Sequence, residues 1–208
     1  MTQEEMQSVL DAPDPSTFLG TRDKAMLHLC FAAGLRVSEL IGIHLEQFTS
    51  SPQPTVRVIG KGRRERILPL WKETAAAIDA WVTIRSEEKT VPALFLNARL
   101  QAMTRSGFEY ILSKQVKVAC LKQPSLLKKI ISPHTLRHTC AMHTLKATHN
   151  VRKVSLWLGH ADLKSTEIYL RADPSIKLEM LTENIPPGLR SGTFKAPDKL
   201  LAMLKSAQ

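Results

Sequence analysis

The sequence predicts a mainly α-helical fold with one small antiparallel β-sheet, and two observations lead to it. Apolar residues recur at helical spacing through most of the chain, while strand-like runs are few and short, two of them flanking Lys61-Gly62-Arg63-Arg64. The 208 residues, 43% of them hydrophobic, are enough for a domain with a real apolar core.

The elements follow in order. Residues 21–33, TRDKAMLHLCFAA, carry helical spacing, and Gly34 stands where a helix C-terminal stop belongs. A second short helix is expected through VSELIGI. TVRVIG and RERILPL, separated by KGRR, read as a β-hairpin with a basic tip. Residues 72–88 are expected to be helical, ALFLN to form a brief strand, and Thr104 to open a long amphipathic helix reaching about residue 121. Ser132 is a good N-cap and Pro133 suits a first helical position, so a helix is expected from there to about Thr148. Three shorter helical segments follow: VRKVSLWLG, the region around LKSTEIYL, and PSIKLEMLT. The Pro-, Gly- and Ser-rich stretch IPPGLRSGTFKAP reads as a linker before a last apolar helix, DKLLAMLKSA. The chain thus divides into a main domain over residues 1–184 and a linker with a terminal helix over 185–208.

With 29 Lys+Arg against 19 Asp+Glu the formal charge is +10, which favours a polyanionic partner over a neutral small molecule. The basic residues are spread through patterned segments, so a folded basic surface is expected in place of a disordered arm. The three cysteines, Cys30, Cys120 and Cys140, are far apart, lie in apolar stretches and show no CxxC spacing; they read as buried free thiols in a reducing compartment. The polar, acidic start is unlike a signal peptide, and no apolar run approaches the ~18 residues of a spanning helix. A cytoplasmic protein with no membrane partner is expected.

The stretch Ser132-Pro-His-Thr-Leu-Arg-His138 sets two histidines and an arginine in the first turn and a half of a helix. Helix N-termini attract anions, an arginine holds two phosphate oxygens with a fixed fork, and a histidine beside it donates or moves a proton near neutral pH. His134 and Arg137, three apart, therefore read as a phosphate cradle. His134 and His138 at four-residue spacing also fit one edge of a zinc site, but no HExxH glutamate or nearby cysteine accompanies them. A plain basic helix face is the other alternative.

Three further places supply matching chemistry. AAGLRVSEL puts Arg36 directly after a helix-ending glycine. GKGRRER puts Lys61 at a hairpin tip, and lacks the GxxxxGK[ST] arrangement of a P-loop. LGHADLKSTEIYL sets His160 after Leu158-Gly159, with Tyr169 nine residues on. In this order, Arg36, Lys61, His134-x-x-Arg137, His160 and Tyr169, within AAGLRVSEL, HTLRH and LGH, resemble the catalytic set of the tyrosine recombinase (phage integrase) family. The resemblance spans roughly residues 17–170.

The resemblance implies the catalytic fold of DNA breaking-rejoining enzymes and a site-specific recombinase acting in integration or excision without a cofactor or metal. Tyr169 would attack a phosphodiester of double-stranded DNA, leaving a 3′-phosphotyrosyl link and a free 5′-hydroxyl. Arg36 and Arg137 would clamp the non-bridging oxygens, Lys61 would protonate the leaving oxygen, His134 would assist proton transfer at the tyrosine, and His160 would hold the phosphate. Glu39 and His138 would orient these groups, and Arg63, Arg64, Arg105 and Lys114 are candidate DNA contacts. It further implies a homo-oligomer, a tetramer on paired DNA sites, in which the terminal helix either docks into a neighbouring protomer or folds back on its own domain. Family members usually carry an N-terminal clamp domain; here about sixteen residues precede the first expected helix, which reads as an excised catalytic domain or a short recombinase. The other readings are a catalytically silent DNA-binding accessory protein of the same fold and a type IB topoisomerase-like relaxing enzyme.

Overall fold

The computed structural model describes residues 1–60, 62, 65–85 and 91–159. In these, seven α-helices accompany one three-stranded sheet: α1 (Gln3–Leu10), α2 (Phe18–Ala32), α3 (Val37–Ile41), β1 (Phe48–Thr49), β2 (Thr55–Ile59), β3 (Glu65–Pro69), α4 (Lys72–Arg85), α5 (Arg105–Lys122), α6 (Pro133–Thr148) and α7 (Val151–Leu158). The mainly α architecture with a small antiparallel sheet is the one expected.

Helix α2 forms the centre because it is apolar nearly all round: Ala25, Met26, Leu27, Leu29 and Cys30 are buried. It packs on α4 and α6, and α1 packs on α5. The sheet order is β1-β2-β3, both pairs antiparallel, with Val56 opposite Leu68 and Val58 opposite Arg66. Val56, Val58 and Leu68 turn into the core while Ile59 and Ile67 face solvent, the alternation of a half-buried sheet.

Local chemistry sets the helix ends. Thr104 caps α5 by accepting from the Gly107 N–H at 3.1 Å. Ser132 accepts from Thr135 N–H at 3.3 Å with Pro133 in the first position of α6, and His149, in the left-handed conformation, closes that helix. Within α2 a buried ion pair points outward from the helix: Asp23 takes the Arg22 guanidinium at 2.6 Å and Gln115 of α5 at 3.0 Å, while Arg22 also donates to the Leu96 carbonyl.

Four expectations are corrected. The first helix is α1, not the one after residue 16: Thr2 and Glu5 form a capping box, and Met6, Val9 and Leu10 join the core. Helix α2 starts three residues earlier than expected, capped by Thr17. ALFLN makes isolated bridges, His44 with Ala93 and Leu96 with Ala102, because its backbone groups are shared among Ile43, Met103 and neighbouring loops and, among the described residues, no continuous partner strand runs beside it. Cys30 and Cys140 are buried, but Cys120 is only half-buried, as it lies near the end of α5. Burial pushes the Cys30 thiol up to about 12 and that of Cys140 up to about 11, which keeps both protonated. No helix of the described residues is long and apolar enough to cross a membrane.

Candidate active site

The site starts at the corner between α2 and α3. Gly34 adopts φ +56°, which lets the Leu35 N–H reach back to the Cys30 carbonyl at 3.0 Å and the Gly34 N–H to Phe31 at 3.1 Å. This is a Schellman ending, and its buried hydrophobic residue is Leu35. The chain leaves the corner extended at Arg36, the N-cap of α3. Glu39, one turn on, folds back. Its Oε2 accepts from the Arg36 backbone N–H at 3.0 Å and its Oε1 from Arg36 Nη1 at 3.0 Å. One carboxylate thus fixes both the backbone and the guanidinium of Arg36, whose side chain stays 44% exposed.

Helix α6 brings Arg137 to the same carboxylate from the opposite side of the sequence. Arg137 is buried; it donates through Nη1 to the Gly34 carbonyl and through Nη2 to the Leu158 carbonyl at 2.8 Å, with Nη1 also 3.8 Å from Glu39 Oε2. The Schellman corner, the first turns of α6 and the end of α7 are therefore joined through one guanidinium. His134, one turn earlier, is exposed, and His138 is half-buried, with its pKa lowered by burial and by the neighbouring His134.

A third guanidinium comes from the sheet. Arg66 of β3 grips Glu39 with both terminal nitrogens, Nη1 to Oε1 at 3.2 Å and Nη2 to Oε2 at 3.0 Å. Arg66 also lies on Gly159, the left-handed residue that ends α7: a Cβ there would stand 2.9 Å from Arg66 Nη1. Burial pushes the Glu39 carboxyl up, but hydrogen bonds from Arg66 and the Arg36 N–H, and the charges of Arg66 and Arg137, outweigh it and hold the pKa below the ordinary value. Three fixed cations around one carboxylate leave the group net positive, with Arg36 reaching solvent. That arrangement suits a phosphate diester, whose non-bridging oxygens match the guanidinium fork.

The structure thus brings together Arg36, Glu39 and Arg137 of the expected set. Lys61, Arg63, Arg64, His160 and Tyr169, with the terminal linker and helix, lie outside the described residues. Arg105 and Lys114 are both on the solvent side of α5, Arg105 within 3.7 Å of Glu109. Among the described residues no group of three His, Cys, Asp or Glu side chains is placed to hold a metal ion. Arg66 is the member that sequence reasoning missed. Its signal is the strand period: in RERILPL it shares a face with Leu68, so a cation on the core side needed a buried partner.

The model of the phage integrase family matches residues 1–175. A protein of Sinorhizobium fredii named as an integrase/recombinase, y4rC, is 37% identical over 206 residues, 99% of this chain and 62% of that protein. Tyrosine recombinase XerD of Pseudomonas putida is 32% identical over 192 residues, 90% of this chain and 62% of its own. This chain therefore spans about three-fifths of the length of those relatives. Among solved structures, XerA recombinase superposes with a TM-score of 0.72 at 24% identity, covering 89% of this chain and 65% of XerA. The XerH recombinase in a pre-cleavage complex with its difH substrate gives 0.72 at 23% identity, covering 88% of this chain and 53% of XerH. These two likenesses establish the fold. With the family match over most of its length, the chain belongs to the phage integrase family.

Proposed function

We propose that this chain is a site-specific DNA recombinase of the tyrosine type, cutting and rejoining strands of double-stranded DNA through a covalent 3′-phosphotyrosyl intermediate. The observation that supports it most is the guanidinium group around Glu39. It is net positive, its members come from three separate segments, and Arg36 faces solvent where a backbone phosphate can reach it.

Chemically, Tyr169 Oη attacks phosphorus as the bond to the 5′ oxygen breaks. Negative charge gathers on the non-bridging oxygens in the pentacoordinate transition state, where Arg36 and Arg137 stabilise it. The plane of Arg137 is set in advance by the Gly34 and Leu158 carbonyls, so little reorganisation is needed. Lys61 gives a proton to the departing 5′ oxygen, His134 assists removal of the tyrosine proton, and His160 hydrogen-bonds the phosphate. Glu39 and His138 orient these groups. The phosphotyrosyl bond keeps the energy of the broken diester, so a 5′-hydroxyl re-forms a strand by the reverse steps. Residues 1–184 form the catalytic domain in this reading, and residues 185–208 the linker and terminal helix. Arg63, Arg64, Arg105 and Lys114 contact the DNA backbone. The working form is a homo-oligomer, a tetramer on paired sites in the cytoplasm. A solved lambda integrase is a dimer on a core-site DNA, which supports assembly on DNA.

The test is to incubate the chain and Tyr169→Phe with labelled nicked duplexes and supercoiled plasmid, quench with detergent, and look for protein attached to a DNA 3′ end. An adduct from wild type alone is expected. An adduct from both overturns Tyr169 as nucleophile. No adduct from either, also after fusion to a DNA-binding domain, leaves the accessory DNA-binding protein of the same fold, whose affinity Tyr169→Phe does not change. Duplex binding is expected to fall steeply with salt.

A further inference from the structure

We infer that Arg66 is a positioning residue of this site: it holds the Glu39 carboxylate in the one orientation that aims Arg36, while its guanidinium lies against Gly159 at the end of α7. The inference rests on the recombinase reading of the site for its catalytic consequence, and on geometry alone for its structural one.

Glu39 has two oxygens and three cationic neighbours. A carboxylate held only by Arg36 could rotate about its terminal bonds and still satisfy one contact. The Arg66 fork removes that freedom, because two parallel N–H···O bonds at 3.2 and 3.0 Å define the carboxylate plane. The same two oxygens then meet Arg36 Nη1 and the Arg36 backbone N–H. The direction of Arg36 is therefore dictated from β3 through Glu39.

Packing alone gives no reason for an arginine here. Arg66 lies on the core face of β3 beside Leu68 and opposite Val58, with a side chain 12% exposed. Its Nε is buried with no hydrogen-bond partner among the described residues, a cost that an apolar side chain would not carry. Among the described residues only the terminal fork is used, and it is used on Glu39. The absence of a Cβ at Gly159 lets the guanidinium lie directly on the backbone of α7's last turn, at a place where a Cβ would be 2.9 Å from Nη1 and 3.0 Å from Cδ. The next residue in the chain is His160. Arg66 thus contacts both the carboxylate that aims Arg36 and the residue preceding a second proposed phosphate ligand.

The experiment uses the full chain with a nicked duplex on which wild type forms its adduct, under single-turnover conditions. Arg66→Gln is expected to lower the maximal rate of adduct formation roughly 10²-fold, the scale of a small misplacement of a catalytic group. The half-saturating DNA concentration is expected to stay at the wild-type value. Arg66→Lys, which keeps the charge without the fork, is expected to recover only part of the rate. Glu39→Gln combined with Arg66→Gln is expected to be no slower than Glu39→Gln alone, since Arg66 acts through that carboxylate. An unchanged maximal rate, a loss confined to affinity, or losses that multiply in the double variant would overturn the role. A second readout needs no activity: the Nε–Hε order of Arg36 by nitrogen-15 NMR should fall in both Arg66 variants, and unchanged order overturns the inference. If wild type makes no adduct on any duplex, also after fusion to a DNA-binding domain, the recombinase reading fails, and the Arg36 order parameter alone decides whether Arg66 positions it.

Discussion

Arg137 Nη2 donates to the Leu158 carbonyl at 2.8 Å, so a side chain from the first turns of α6 closes the last turn of α7. A lysine at this position offers three donors on one nitrogen and cannot span the Gly34 and Leu158 carbonyls with a fixed plane. Arg137→Lys is therefore expected to lose both the transition-state stabilisation proposed for it and a structural tie. Adduct formation should fall by about 10²-fold or more, the scale of removing one preorganised donor, and thermal unfolding should shift down by several degrees. Single-turnover kinetics and circular dichroism check the two halves.

Glu39→Gln keeps the shape and removes the charge that three guanidiniums share. Breaking a buried ion pair by removing one partner costs about 3–5 kcal/mol. The pH dependence has a definite sign. The folded pKa of Glu39 lies below its unfolded value, so its contribution is fully present above an unfolded carboxyl pKa of about 4.3 and is lost as pH falls through the folded value. The stability gap between wild type and Glu39→Gln should thus be constant near neutrality and narrow on acidification below about pH 4. Urea titrations across that range measure it.

Gly34→Ala acts on the corner itself. A Cβ there would be 2.5 Å from Leu158 Cδ2 and 3.1 Å from Cys140 Sγ, and φ +56° is already unfavourable for alanine. A destabilisation of about 1–3 kcal/mol is expected from backbone strain together with the displaced neighbours. Because the same residue supplies a carbonyl to Arg137, adduct formation should fall further than the loss of folded protein explains.

Glu5→Gln tests the tie between α1 and the segment before α6. The Lys129 ammonium, 2.6 Å from Glu5 Oε2, with Ser125 and the Thr2 N–H, outweighs burial and holds the Glu5 carboxyl at about 2. Its stabilisation is present above the unfolded carboxyl pKa and disappears as pH falls through about 2. At neutral pH the substitution should cost about 1.5–3 kcal/mol, the range for a hydrogen bond to a charged group. The difference from wild type should shrink progressively in acid, which a chemical-denaturation series against pH reads directly.

Much of this architecture was legible because its signals are local. The start of α6 follows from Ser132-Pro133, the cap of α5 from Thr104, and the end of α2 from Gly34, each a residue whose own chemistry enforces the boundary. Helix α1 escaped notice because charged and polar residues dominate its first turn, although Thr2 with Glu5 is a capping box and Met6, Val9 and Leu10 keep helical spacing. ALFLN looked like a strand because apolar composition does not say whether a partner strand lies alongside. In the site, Arg36 and Arg137 stood out by their surroundings, and Glu39 only through the family resemblance. Arg66 did not, since four arginines and glutamates crowd GRRERI and only the register of β3 reveals which one turns inward. The convergence of Arg36, Arg66 and Arg137 on Glu39 joins residues as far apart as 36 and 137 in the chain, and no local pattern encodes that.

The corner at Gly34 has a consequence for inheritance. Arg137 is held by carbonyl oxygens of Gly34 and Leu158, groups that every amino acid carries, so replacement of the Leu158 side chain leaves its acceptor in place. What such a design exposes to mutation is the path of the main chain, and that path depends on the two residues with no side chain to obstruct it, Gly34 and Gly159. A saturation screen for loss of the proposed recombination should therefore find few substitutions tolerated at those glycines, and broad tolerance among apolar residues at position 158.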